Sequence, residues 1–178
     1  MSGLAEDIVS LREEGHSFAI VSSGAIALGI ATLGFRSRPT DIAKLQAAAA
    51  VGQLELMARY AKIFEALGVP IAQVLLTHAD LADRERANNA RAALSEIIAA
   101  GAIPILNEND SVAVEEIKFG DNDQLAAMVA PLVDAVHQTF QYPQTGRVIS
   151  NTGPRPACAL QHEVSVPSNG SSDQQLQD

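Results

Sequence analysis

Two short clusters of acids and amides could do chemistry in this chain: Asn107-Glu108-Asn109-Asp110 and Gly120-Asp121-Asn122-Asp123. Carboxylates accept hydrogen bonds from ammonium groups, and side-chain amides can either donate or accept. Such a set can hold a small polar molecule that carries both charges. Turns favour Asn and Asp, but four consecutive acid or amide residues exceed what one turn needs. That favours a ligand role for Asn107 to Asp110: Asp110 to receive an ammonium group, Asn107 and Asn109 to fix a carboxylate or shape the loop. Gly120 to Asp123 has two open readings, a helix N-terminus with capping acids or half of a metal or ligand site. An EF-hand loop is excluded, because neither the ligand spacing nor the closing glutamate matches. A third segment, Ser22-Ser23-Gly24-Ala25, is made of small residues whose amides and Ser23 hydroxyl could bind a carboxylate or phosphate. It could equally be a helix cap.

Each of these segments lies beside an element able to position it. Ser17 to Val21 and Ala102 to Leu106 read as buried strands ending at the small-residue turn and at the first cluster. Val69 to Leu76 reads as a third strand. Leu4, Ile8 and Leu11 are spaced for a helix that Gly15 would stop. Thr40 or Asp41 would cap a long helix carrying Ile42, Leu45, Ala49, Leu54, Met57, Ala61 and Phe64, stopped by Gly68. Gly29 and Gly34 bracket a weak segment. Asp80 to Arg86 reads as a charged connection with a solvated helix start. A helix with Ala90, Leu94, Ile97 and Ile98 follows and stops at Gly101. Val112 to Phe119 suggests a half-exposed hairpin or edge, and Gln124 to Val133 a last helix.

Helices and strands in alternation predict an α/β fold, a three-layer αβα arrangement around a mostly parallel sheet. The apolar strand runs lack clean alternation, as expected for strands covered on both faces. In such folds ligands bind beyond the carboxyl ends of the strands, where the polar clusters fall. After Ala135 the chain turns rich in Gln, Ser, Pro, Thr and Asn, and only Arg147 to Ile149 hints at a strand. The expected division is therefore a domain over 1–135 and a polar, largely disordered tail over 136–178.

Composition narrows the classes of function. The net charge is −9 over 178 residues and tryptophan is absent, which argues against a nucleic-acid partner. No apolar run is long enough to span a membrane, and the first residues lack the pattern of a signal peptide. A single cysteine, Cys158, excludes an internal disulfide framework and fits the cytoplasm. His16, His78, His137 and His162 are isolated, without partners at metal or nucleophile spacing, and no metal ligand is assigned.

Taken together, Val21 to Ala27, the run QAAAAVGQ from Gln46 to Gln53, Gln73 to Thr77, Asn89-Ala90-Arg91, Pro104 to Asp110 and Phe119 to Asp123 closely resemble the glutamate 5-kinases of the amino acid kinase family. The resemblance runs from about Leu4 to Ala135. It implies phosphorylation of the γ-carboxylate of L-glutamate by ATP with Mg2+, giving glutamyl 5-phosphate, the first step of proline biosynthesis. By residue, it implies that Ser23, Asp110, Asn122 and Asn107 bind the substrate. Asp123 would orient phosphate-stabilising lysines, and Gly24 would offer a backbone amide toward the nucleotide. Family members also begin with a strand bearing a Lys-x-Gly segment and continue, past the last helix, into a Thr-Asp strand and a nucleotide region with a second lysine. This chain is expected to start after the first of these and to depart at Ala135 as a shifted reading frame would. The expectation that follows is little or no kinase activity from the chain alone, and an open sheet edge where the first strand would pair. The alternative is a non-catalytic glutamate-binding or oligomerisation module, as a homo-oligomer or paired with full-length subunits. A different amino acid kinase is a weaker third reading.

Overall fold

In the computed structural model, residues 2–112 and 121–135 are described, together with strands at 137–141, 148–150 and 157–163. The expected hairpin beyond Val112, Gly120, Lys118 and the polar stretch 168–175 lie outside the described residues. The elements run α1 (Ser2–Glu13), β1 (Ser17–Ser23), α2 (Ala25–Thr32), α3 (Ile42–Ala66), β2 (Ile71–Leu76), α4 (His78–Ala82), α5 (Arg84–Ala99), β3 (Ile103–Glu108) and α6 (Asp121–Val129). A 3-10 turn (Ala130–Val133) follows, then β4 (His137–Gln141), β5 (Val148–Ser150) and β6 (Ala157–Glu163).

One mixed sheet has the order β2-β3-β1-β6-β4-β5, and every pairing is parallel except β4 with β5. The strand faces explain the layers, because side chains alternate along a strand. Phe18, Ile20, Ile103 and Ile105 share a core with Ala5 and Ile8 of α1, Ala25 and Leu28 of α2, and Leu56, Tyr60 and Phe64 of α3. Ala19, Val21 and Leu106 point the other way and pack with Leu94 of α5, Leu125, Ala126 and Val129 of α6, and Leu132. The fold is thus the expected three-layer αβα.

Local signals act where they were expected. Asp41 caps α3, its Oδ1 accepting from the Lys44 N–H at 3.3 Å. Gly15, Gly68 and Gly101, the predicted stops, adopt φ of 94°, 69° and 79°, the left-handed region that a helix C-terminus uses. Asn89-Ala90-Arg91 serves the frame: Arg91 Nη2 donates to Pro131 O at 2.7 Å, and Nη1 to Asp134 Oδ1 at 3.2 Å.

Three features differ from expectation. The weak segment between Gly29 and Gly34 is mostly α2, crossing α3 at two glycines. A Cβ on Gly29 would sit 1.7 Å from Ala48 O, and one on Gly52 1.7 Å from Ala25 O. Thr32 Oγ1 donates to Glu55 Oε2 at 2.8 Å across the same crossing. The charged connection at Asp80 to Arg86 holds two helices. Thr77 and Asp80 form a reciprocal capping box for α4, and Asp83 caps α5 by accepting from the Arg86 N–H. Finally, the region after Ala135 contributes three strands where the sequence signalled one. Of these, β6 pairs in parallel along all of β1, from Ser17 with Ala157 to Ser23 with Glu163. The edge expected to stand open beside β1 is therefore filled. The demand for backbone partners along a central strand has no signature in the composition of the segment that meets it.

Candidate functional site

Parallel register brings the carboxyl ends of three strands to one level. Val21 pairs with Leu106, and Leu75 and Leu76 pair with Asn107 and Glu108. The chain segments leaving this edge are Ser22-Ser23-Gly24 from β1, Thr77-His78 from β2 and Asn107 to Asp110 from β3. At the first, Gly24 is the N-cap residue of α2, with φ 104°. A side chain there would be strained, and the absence of one lets the chain turn at once from strand to helix. Ser22 is fully buried and shares a 3.0 Å hydrogen bond with the Tyr60 hydroxyl of α3. Burial pushes the Tyr60 phenol up to about 12, against the opposing effect of the Ser22 hydrogen bond, so the ring is neutral at physiological pH.

At the third segment Asn107 is 3 % exposed. Its Nδ2 donates to Gln53 Oε1 at 2.9 Å, and its Oδ1 accepts from the Glu108 N–H at 2.9 Å. Both ends of its amide are thus engaged by the protein. Asn107 is a buried anchor that sets the direction of the loop, and Asn109 and Asp110 are half-buried beyond it. The Asn109 N–H donates to Leu76 O at 3.0 Å, tying the loop to β2.

The second segment overturns the reading of His78 as isolated. His78 Nδ1 lies 3.3 Å from Glu108 Oε1, with both side chains mostly shielded from solvent. The two residues are 30 positions apart, which is why no local spacing revealed the pair. Next to it, Asp80 accepts from the Thr77 hydroxyl at 2.7 Å, from the Thr77 N–H at 2.9 Å and from Arg86 Nη1 at 2.9 Å. The Thr77 hydroxyl, then its backbone N–H, and last Arg86 hold the Asp80 carboxyl below its ordinary range.

From the other layer comes the start of α6. Asn122 and Asp123 are half-buried, one turn ahead of Leu125 and Ala126, which pack on Val21 and Leu106. The structure therefore joins Asn107 to its strand-end loop with Asp110, sets Ser23 and Gly24 at the end of the adjoining strand, and carries Asn122 and Asp123 on a helix packed against the same two strands.

Sequence reasoning gave no role to Gln53 or Tyr60. The signal was available: both fall on the buried stripe of α3 with Leu45, Ala49, Leu56 and Phe64, and a polar residue on such a stripe needs a partner. Among the described residues three buried side-chain polar atoms lack one: Gln53 Nε2, His78 Nε2 and Asn122 Oδ1. Also among the described residues, no group of three or more His, Cys, Asp or Glu side chains is arranged to hold a metal ion. No residue is assigned to Mg2+. No helix among them is long and apolar enough to cross a membrane.

Comparison with known proteins agrees with this geometry. The model of the amino acid kinase family matches residues 1–139. A glutamate 5-kinase of Gloeobacter violaceus is 49% identical over 164 residues, 92% of this chain and 44% of that protein. One from Synechococcus elongatus is 55% identical over 135 residues, 76% of this chain and 37% of that protein. One from Thermus thermophilus is 53% identical over 135 residues, 76% and 36% respectively. The chain thus spans less than half the length of these relatives. With buried strand ends, a small-residue turn and an acid-amide loop in register, it belongs to the amino acid kinase family.

Proposed function

We propose that this chain supplies the L-glutamate site for phosphorylation of the substrate's γ-carboxylate by ATP, giving glutamyl 5-phosphate at the start of proline biosynthesis. The observation that carries the reading is the buried Asn107 anchor at the end of β3. It holds Asp110 on a short loop beside the Ser23-Gly24 turn, so that an acid for an ammonium group and donors for carboxylates can meet one amino acid. Ser23, Asp110 and Asn122 are the proposed substrate contacts and Asn107 their support. Asp123 is the proposed link to the phosphate chemistry, and Gly24 offers a backbone amide on that side.

Phosphoryl transfer depends on positioning and on cations that stabilise the moving charge. Lys44 and Lys62, the lysines among the described residues, are exposed on α3. That supports a chain which, alone, binds L-glutamate but turns it over little or not at all. The non-catalytic module, acting in the cytoplasm as a homo-oligomer or beside full-length subunits, is the second reading this placement favours.

Calorimetry with L-glutamate in the absence of ATP tests the binding site. Heat that disappears in Asp110→Ala, at unchanged thermal stability, is the expected result; no heat from the unaltered chain refutes the reading. ATP-dependent formation of glutamyl hydroxamate from glutamate and hydroxylamine separates the two readings. Robust turnover by the purified chain would refute the non-catalytic one.

A further inference from the structure

A hydrogen-bond relay runs from the backbone of β3 into α3, and its direction is set at its origin. The Glu108 N–H can only donate, and it donates to Asn107 Oδ1. The other amide atom of Asn107 is therefore Nδ2, which donates to Gln53 Oε1. Gln53 has no freedom to turn over, since a flipped amide would set two NH2 groups against each other. The relay thus ends on Gln53 Nε2, a donor. This atom is buried, in a residue 9% exposed, and has no partner among the described residues. An unpaired buried donor is costly, and here neither rotation nor an amide flip relieves it. An acceptor brought by a ligand would. A second unpaired atom, Asn122 Oδ1, has the opposite polarity and calls for a donor.

We propose that Gln53 is a substrate-binding residue, its Nε2 donating to a carboxylate oxygen of the amino-acid substrate, and that Asn107 is the positioning residue that aims it. This rests on the glutamate reading and deepens it, because it names the group that holds a carboxylate.

The test is Gln53→Glu in the 178-residue chain, which keeps an oxygen for Asn107 but replaces the donor with an acceptor. Calorimetry is run with L-glutamate and its two monoamides, L-glutamine and L-isoglutamine. Loss of a charge-assisted hydrogen bond predicts that L-glutamate binds at least about tenfold more weakly. One monoamide should bind the variant better than it binds the unaltered chain, because its NH2 can donate to the new carboxylate. Which monoamide gains identifies the carboxylate held. L-glutamate affinity in the variant should also recover as the pH falls and the new carboxyl becomes a donor. Equal affinity for L-glutamate in both proteins, or an equal loss for all three ligands, overturns the inference and leaves the glutamate reading standing. No glutamate binding by the unaltered chain overturns both. If Gln53→Glu does not fold, the side-chain amide resonances of Gln53 in the unaltered chain decide. Their shift and slowed hydrogen exchange on adding L-glutamate are expected, and unchanged resonances under saturating glutamate overturn the inference.

Discussion

Gly52→Ala inserts one methyl group where two helix backbones touch. The new Cβ would lie 1.7 Å from Ala25 O, with Gly29 N and Ala25 C within 2.7 Å. Ordinary contact begins near 3.4 Å, so the crossing has to open by about 1.7 Å. Every atom in the way belongs to the backbone, so no rotamer change relieves the clash, and Gly29 against Ala48 blocks sliding at the other contact. Overpacking of a core usually costs about 1–3 kcal/mol, and a backbone clash belongs at the upper end or beyond. For a chain of this size about 3 kcal/mol lowers Tm by roughly 6–12 °C. Because α2 starts directly after Gly24, the same displacement disturbs the Ser22 to Gly24 turn, and L-glutamate binding should weaken in step. Differential scanning calorimetry reads the first effect and isothermal titration the second. Gly3→Ala is the control, since a Cβ there meets nothing within 4 Å and alanine suits a helix better than glycine. A Gly52→Ala chain melting within about 2 °C of the unaltered one would refute the close-crossing argument.

Tyr60→Phe should cost about 1 kcal/mol in urea denaturation at neutral pH through the lost bond to Ser22. The Tyr60 phenol is raised from 10.0 to about 12 in the folded chain, so the unfolded chain loses its proton first. The stability this group contributes is full below pH 10 and falls as the pH climbs toward about 12. The part of the alkaline decline due to this phenol should vanish in Tyr60→Phe, and an unchanged pH profile would count against its burial. Asp80→Asn should destabilise by about 0.5–1 kcal/mol through the weakened capping box. Since the Asp80 carboxyl is lowered from 3.8, its contribution is present above that value and lost as the pH falls through the folded-state one. The gap between Asp80→Asn and the unaltered chain should then close in acid, as followed by circular dichroism. Asn107→Leu leaves Gln53 Oε1 and the Glu108 N–H without their partner, so a loss of about 1–3 kcal/mol should accompany loss of glutamate binding. Retention of full affinity would show that Asn107 does not aim the site.

Much of the frame is legible from neighbouring residues. An aspartate ahead of an apolar stripe caps α3, and glycines after the last apolar position end three helices, because caps and stops are settled within a turn of chain. The Thr77 and Asp80 box is equally legible, as a threonine followed three residues later by an acid. Acids and amides at the end of an apolar strand mark Asn107 and Asp110 as candidates. Gly29 and Gly52 say nothing alone, since each is explained only by the other helix.

The order of helices and strands, the faces they bury and the polar segment after each strand follow from the amino-acid sequence by itself, because these depend on period and on groups a few residues apart. The pairing of polar groups was decided by the tertiary structure. Gln53 meets Asn107 across 54 residues, Ser22 meets Tyr60 across 38 and His78 meets Glu108 across 30. Contacts at such separations exist only once α3 and α4 have packed on the strands. Only then does a one-way hydrogen-bond relay make the end of Gln53 a donor in need of an acceptor.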